Sequence, residues 1–361
     1  MLEKNFTHPA VFILERYKKI IWPEINKYLK DAKKTNYPKV FKIPPKYKNE
    51  INYQWKIIKD YPERKGKYLR PTLIALTAQA LGTPLKKVIK TASAMQLSEE
   101  WILIHDDIED DSTKRRGKPT LHRLYGKELA LNAGDLLHSL MWKVLLDNIS
   151  ILDRKTYQTI LDEFQKMFIR TMLGQGVEIV WSRKNISNFS DSDWYFIADG
   201  KTSYYTIALP VRLGAIIGGA NKKQLEKLTY FGLNLGRGFQ LVDDILDITS
   251  DFRGLKEKGN DIYEGKKTVI LGHLLDHSNK KDKIKILRIF QKKLDKKTPK
   301  EISWVIEKMR DYGSIEHAKK LAQHYKDKAL EIFEKDLEFL SVQPYRDDLK
   351  QIIDFIIERK Y

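Results

Sequence analysis

The sequence predicts an all-α protein, and three observations carry that expectation. Apolar residues recur at helical spacing through long stretches, no series of alternating strands is present, and no block repeats at a period of roughly 20–50 residues. Proline and glycine fall mostly between the long stretches, in YPERKGKYLRP (61–71), RRGKP (115–119) and DFRGLKEKGND (251–261). Taken in order, residues 31–66 are rich in Lys, Pro and Tyr and read as loop plus a short helix. PTLIALTAQAL (71–81), IKTASAMQLSEEWILIHDD (89–107), ELALNAGDLLHSLMWKVLLDNI (128–149) and YQTILDEFQKMFIRTMLGQGVEIVW (157–181) read as helices with apolar faces. The tail after about residue 280 is Lys-rich and helical, a peripheral layer. No linker is long or flexible enough to split the chain, so a single domain is expected.

Composition narrows the function. The 361 residues are 42% hydrophobic, enough for one large domain or two small ones. Net charge is +18, from 66 Lys+Arg against 48 Asp+Glu, a balance that suits nucleic acid, anionic lipid or phosphorylated substrates, or simply a solvated basic surface. The absence of cysteine excludes disulfides, zinc–thiolate sites and thiol catalysis, and fits a reducing compartment. The start, MLEKNFTHPAVFILERYKK, lacks a basic segment followed by a clean apolar core and is not a convincing signal peptide. IALPVRLGAIIGGA (207–220) is too short to span a bilayer and contains Arg212. A soluble, cytoplasmic protein is expected.

Two acidic clusters stand out in this basic chain. DDIEDD (106–111) and DDILD (243–247) share the spacing D-D-x-x-D. Asp is 27 of 361 residues, so chance alone gives about 0.15 such matches per chain. On a helix with about 100° per residue, Gln240, Asp243, Asp244, Asp247 and Asp251 fall within one arc, with Leu241, Val242, Ile245, Leu246 and Ile248 opposite. Asp106, Asp107, Asp110 and Asp111 likewise share an arc, with Leu97, Trp101, Ile104 and Ile108 opposite. Like charges at i, i+4 destabilise a helix and call for a counter-charge. Hard divalent cations supply it, and magnesium typically uses one or two carboxylates plus substrate phosphates. KGKYLRP (Lys65, Lys67, Arg70), KRRGK (Lys114, Arg115, Arg116) and EGKKT (Lys266, Lys267) provide cations for phosphate oxygens. The combination suggests metal-bridged diphosphates held between two facing helices. The plain alternative for either cluster alone is a solvent-facing acidic stripe.

With these motifs in view, the chain resembles the trans-isoprenyl diphosphate synthases, from about Gly66 to Thr268 and more weakly to the C-terminus. The motif order matches: GKYLRP (66–71), DDIEDDSTKRRGKPTLH (106–122), GQGVE (174–178), GKTS (200–203), GRGFQLVDDILD (236–247) and GNDIYEGKKT (259–268). The resemblance implies a helical bundle with a central cavity, a catalytic core over about 61–280, an N-terminal extension over 1–60 and a C-terminal helical layer over 281–361. It implies that Asp106, Asp110 and Asp243 bind magnesium ions that clamp an allylic diphosphate, with Asp107, Asp244 and Asp247 supporting them. Arg115, Lys201 and Lys266 would grip that diphosphate. Lys67, Arg70 and Arg116 would hold the diphosphate of isopentenyl diphosphate. Thr202 and Gln240 would point oxygen dipoles at the allylic cation, although on the residues alone these two and Lys201 read as ordinary helix positions. A homodimer is the family expectation, and the C-terminal Arg359 or Lys360 would fold over the active site.

The chain departs from the family pattern in two places. Glu99 stands seven residues before Asp106, where the family usually has His or Gln; it would pair with Lys67 or Arg70, or Gln96 would substitute. The GQxxD motif reads Gln175…Glu178, which keeps a carboxylate on a longer arm. Product length is expected at C20, as in archaeal-type geranylgeranyl synthases. Trp101 lies five residues before Asp106, about 7.5 Å along a helix. There it would act as a floor to the growing chain, Ile102 being non-aromatic; C15 and longer products are the alternatives, and Trp101 as plain core is the other reading. A class I terpene cyclase would normally lack the second aspartate motif. A non-catalytic prenyltransferase subunit would lack aspartates present here. A nucleic-acid binder would account for +18 but not for paired acidic motifs that repel phosphate. No nucleic-acid partner is therefore expected, and the surplus charge suits anionic substrates or a membrane surface that receives the lipid product.

Overall fold

A computed structural model of the chain describes residues 8–31, 44–250 and 258–358. Asp251, Arg359 and Lys360, and most of DFRGLKEKGND, lie outside the described residues. The described chain is almost wholly helical, as expected, with one two-residue hairpin, β1 (Lys114–Arg115) and β2 (Lys118–Pro119), paired antiparallel with Arg115 opposite Lys118. The chain divides into two compact units, each discontinuous in sequence. The first takes Met1–Leu161, Leu213–Ala220 and Leu340–Ile352; the second takes Asp162–Arg212, Asn221–Phe339 and Ile353–Tyr361.

In the first unit, α1 (Pro9–Asp31) packs on α3 (Leu69–Ala80) and α4 (Ile89–Glu109), while α2 (Lys48–Arg64) and α5 (Leu121–Tyr125) pack on α6 (Lys127–Leu146). The short helix expected within 31–66 is a 17-residue helix, because Trp55, Ile57, Ile58 and Tyr61 form a buried stripe that the surrounding lysines disguise in the sequence. Helix α4 is the axis of the unit. Residues Thr91 to Ser98 are all buried, and the small side chains of Ala92, Ser93, Ala94 and Ser98 let neighbouring helices approach on every side. The segment after Leu340 returns to this unit through Val342, whose N–H donates to the Ala80 carbonyl at 3.0 Å.

The second unit begins with α7 (Arg154–Lys184), most of which belongs to it, and α8 (Asp191–Ala198), opened by a capping box between Ser190 and Asp193. A π-helical segment, Asp199–Ala208, carries GKTS and runs into α9 (Leu209–Ile217). Glycines explain its position. A Cβ on Gly174 of α7 would stand 2.9 Å from the Lys201 nitrogen, and one on Gly236 would stand 2.5 Å from the Ser203 Cα. The π segment therefore lies in backbone contact with α7 on one side and with α10 (Lys222–Thr249) on another. Helices α11 (Asn260–Glu264), α12 (Val269–His277), α13 (Lys280–Gln291), α14 (Pro299–Asp311) and α15 (Ser314–Asp336) complete a core that includes Leu241, Ile245, Ile262, Leu274, Val305 and Tyr325. The final helix, α16 (Tyr345–Glu358), starts in the first unit.

Candidate functional site

The first acidic cluster sits at the end of α4. The helix stops at Glu109, Asp110 caps it, and Asp111 turns away with a left-handed φ of 53°. The four aspartates do not share one arc, contrary to the helical-wheel expectation. Asp106 and Asp110 are partly exposed, Asp107 is buried, and Asp111 leaves the helix to pair with Arg123 at 2.8 Å. The burial of Asp107 is matched by its partners. The Tyr61 hydroxyl donates to one oxygen, and Arg115 donates from Nε at 3.0 Å and from Nη2 at 2.5 Å. Burial and the adjacent Asp107 charge push the Tyr61 hydroxyl up, so it remains a donor. Arg115 also reaches Asp106 at 3.4 Å. The hairpin that carries Arg115 and Arg116 is held by Arg64, which donates to the carbonyls of Arg115 and Pro119 at 2.9 and 2.8 Å.

A second group of charges lies one to two turns earlier on α4. Glu99 accepts from Arg70 at 3.0 Å and approaches Arg116 at 3.5 Å; of the two partners left open by the sequence, Lys67 and Arg70, this is the second. Gln96 does not substitute for the missing His or Gln: it is buried and donates to Glu100 at 2.7 Å. Glu100 is also buried, and Arg116 donates to it at 2.8 Å. Burial pushes the Glu100 carboxyl up to about 7, against the pull of Arg116 and with the push of Glu99. Lys67 is exposed beside this group in the sequence motif, whereas Lys65 lies over the Trp22 ring at 4.9 Å. Trp101 is buried and its ring packs on His138 of α6, with centroids 4.6 Å apart, and edge-on to His105 at 5.6 Å.

In the second unit the acids of α10 face inward. Asp244 and Asp247 are buried, and Asp243 is partly exposed. The Asp247 carboxylate accepts from the Asp261 N–H at 3.0 Å and its carbonyl from Gly259 N–H at 2.7 Å, so it fastens the start of α11. Gln240 donates its amide nitrogen to Asp244 Oδ1 at 2.7 Å, while Asp244 Oδ2 is buried with no hydrogen-bond partner. Burial first, then the charges of Asp261, Asp243 and Glu178, drive the Asp244 carboxyl well above the usual carboxylate range. Four carboxylates thus crowd one region, with cations at its edge. Lys201 donates to Glu178 at 2.6 Å; Lys266 lies 3.4 Å from Asp261 and also pairs with Glu264. Of the two lysines in EGKKT only Lys266 faces the acids. Lys267 is buried, donates to Asn185 at 3.1 Å, and burial lowers its ammonium to about 8. Thr202 is half-buried on the π segment and Gln175 is buried on α7. Asp199 and Arg237 lock that segment to α10 through bonds of 2.9 and 2.6 Å.

Among the described residues no three acidic or histidine side chains converge tightly enough to enclose a metal on protein ligands alone. The donor chemistry nonetheless fits magnesium, which takes one or two carboxylates and completes its shell with water and phosphate. The unpartnered Asp244 oxygen, in a region short of positive charge, is the observation that supports the fit. Sequence reasoning assigned no role to Glu100, Tyr61 or Asp261. Asp261 lay within the quoted motif GNDIYEGKKT, and only the fold shows it beside Asp244.

These features define an all-α protein with two acidic motifs, each bordered by its own set of carboxylate–cation pairs. The chain matches the polyprenyl synthetase family model over residues 53–309 and belongs to that family, whose members are trans-prenyltransferases. It is 32% identical over 300 residues to a geranylgeranyl diphosphate synthase of Methanosarcina mazei, covering 82% of this chain and 86% of that protein. It is equally 32% identical, over 317 residues, to a geranylfarnesyl diphosphate synthase of Natronomonas pharaonis, covering 82% and 87%. The crystal structure of geranylgeranyl pyrophosphate synthetase from Pyrococcus horikoshii superposes with a TM-score of 0.81 at 28% identity, covering 97% of this chain and 98% of that one. No helix among the described residues is long and apolar enough to cross a membrane.

Proposed function

We propose that this enzyme condenses isopentenyl diphosphate with an allylic diphosphate to give geranylgeranyl diphosphate and pyrophosphate, with magnesium as the cofactor. The observation that supports this reading best is that each aspartate motif has cations at its border: Arg115 at Asp106 and Asp107, and Lys201 and Lys266 on Glu178 and Asp261, the acids whose charge bears on Asp244. In the first unit Asp106 and Asp110 would hold metal, with Asp107 supporting them; in the second Asp243 would do so, with Asp244 and Asp247 in support. When bound, magnesium supplies positive charge to the departing pyrophosphate. In the first unit Arg115, held in place by Asp107, and in the second unit Lys201 and Lys266 would offer donors to diphosphate oxygens and stabilise that charge as a C–O bond breaks. Lys67, Arg70 and Arg116 align isopentenyl diphosphate, whose double bond attacks the allylic carbon. The new C–C bond forms, and the proton lost from the adduct passes to pyrophosphate. Thr202 and Gln240 present oxygens to the cation, and the donation of the Gln240 nitrogen to Asp244 fits that orientation.

A C20 product is favoured by the single buried ring of Trp101 and by the names of the relatives; the Natronomonas protein keeps C25 as the second reading. We place the enzyme in the cytoplasm as a homodimer. Ile169 and Leu173 on α7 are 56% and 60% exposed, and a second copy would cover them. The basic surface would favour peripheral contact with anionic membrane, where the product is delivered. The test is incubation of purified protein with labelled isopentenyl diphosphate and dimethylallyl, geranyl or farnesyl diphosphate, with and without magnesium. Magnesium-dependent elongation ending at C20 is expected; no elongation from any starter by folded protein refutes the assignment.

A further inference from the structure

We propose that Glu99 is a built-in competitor for the diphosphate of isopentenyl diphosphate, a carboxylate that occupies Arg70 and Arg116 until the substrate displaces it and so sets the affinity of that position. The inference rests on the reading above that these arginines hold that diphosphate. The two adjacent glutamates of α4 have different surroundings. Glu100 is buried, takes Arg116 at 2.8 and 3.2 Å and Gln96 at 2.7 Å, and faces the buried Tyr68. Arg116 is fixed without Glu99. It donates to the Tyr61 carbonyl at 3.0 Å and lies against the backbone of Gly66, where a Cβ would stand 2.8 Å from Nη2. Its own φ is 53°, and Tyr68 in the facing loop has φ 61°. Two non-glycine residues in the left-handed region mark a backbone held in place by its surroundings.

Glu99 is the member of the group that can leave. Its side chain is 15% exposed, Arg70 is 17% and Arg116 is 16% exposed, so all three are reached by solvent. Its contact with Arg116 is the longer one, 3.5 Å against 2.8 and 3.2 Å for Glu100, and its other bond is 3.0 Å to Arg70. A diphosphate gripped by the same guanidinium groups cannot share them with a carboxylate of like charge. Glu99 offsets charge that Arg70 and Arg116 would otherwise present to an anion.

The experiment compares wild type with Glu99→Gln, which removes the charge and keeps the shape. The KM for isopentenyl diphosphate should fall roughly 10–100-fold, the range set by a charge-assisted hydrogen bond, while the KM for the allylic partner stays put. Calorimetric titration with inorganic pyrophosphate in the absence of magnesium should show the same tightening, and Arg70→Gln in the Glu99→Gln background should erase it. An unchanged or raised KM for isopentenyl diphosphate, with no tightening toward pyrophosphate, overturns the proposal and makes Glu99 a clamp that orients the arginines. If wild-type protein turns over no prenyl substrates, the functional reading above fails, and the pyrophosphate titration still decides whether Glu99 competes for the site.

Discussion

Replacing Asp107 by Asn separates anchoring from catalysis in the first aspartate motif. Asp107 is 1% exposed and takes three donors, one from Tyr61 and two from Arg115. Breaking a fully buried ion pair costs about 3–5 kcal/mol. Arg115 is 28% exposed and recovers part of its hydration, which brings the expected loss to about 2–4 kcal/mol. Unfolding entropy near 2.1 cal/mol/K per residue over 361 residues converts a loss of about 3 kcal/mol into a fall in Tm of about 4 °C. Asp106→Asn behaves oppositely. Its contact to Arg115 at 3.4 Å is a partly exposed pair of about 0–1 kcal/mol. Its Tm should stay within about 1 °C while activity drops at least about 100-fold through loss of a metal carboxylate. Tyr61→Phe should share the stability loss with both aspartates intact, and a cycle of Asp107→Asn with Arg115→Gln should be non-additive. Calorimetry and a coupled pyrophosphate-release assay read the two effects. An equal Tm loss for Asp106→Asn and Asp107→Asn refutes the division of roles.

Three further outcomes follow from the geometry. Trp101→Ala should lengthen the product beyond C20, read by chain-length chromatography, and cost about 3–5 kcal/mol from the cavity left beside His138; an unchanged product length makes Trp101 plain core. Gly174→Ala should lower kcat about 100-fold, because its Cβ would stand 2.9 Å from the Lys201 nitrogen and displace the π segment; wild-type turnover would show that the segment's position is not critical. Glu100 holds its proton to about 7 in the folded state against 4.5 when unfolded. The folded state therefore binds more protons in that window, so this contribution is intact below about 4.5 and is lost as pH rises to about 7. Thermal stability measured without magnesium should fall across that range, and Glu100→Gln should flatten the slope.

The acidic motifs were legible because their residue types and spacing survive any packing, and so was the helical class, because apolar periodicity is a local property. Which acids face a ligand was not legible. A helical wheel assumes one polar and one apolar face, and α4 is buried all round from Thr91 to Ser98, with no polar face to read. Its neighbours decide the outcome: Tyr61 and Arg115 arrive from α2 and the hairpin and make an interior position tolerable for Asp107. The π segment was equally hidden. It depends on Gly174 and Gly236 meeting Lys201 and Ser203 across two other helices, a relation between distant residues that no local pattern encodes. The sequence left Lys67 and Arg70 both open as partners of Glu99; the fold pairs it with Arg70 and brings Arg116, which the sequence did not offer, within 3.5 Å.

Among the doubled acids of the chain, Glu99–Glu100, Asp106–Asp107 and Asp243–Asp244 border the candidate site and split the same way. The second residue is buried, at 1%, 1% and 3% exposure, and the first is partly exposed. Successive helical residues point about 100° apart, so two adjacent acids cannot both face one cavity. The inner member accepts from Arg116, from Arg115 and Tyr61, or from Gln240, and thereby fixes the very groups that border the site. The outer member keeps part of its surface open to solvent. A buried carboxylate alone would be costly, and an exposed one alone would leave its neighbouring cation unpositioned. Doubling the acid supplies both on one turn of helix. The same logic sets the outcome of substitution throughout the chain: amides at 100, 107 and 244 should act first on stability and on the placement of their partners, and amides at 99, 106 and 243 first on substrate and metal.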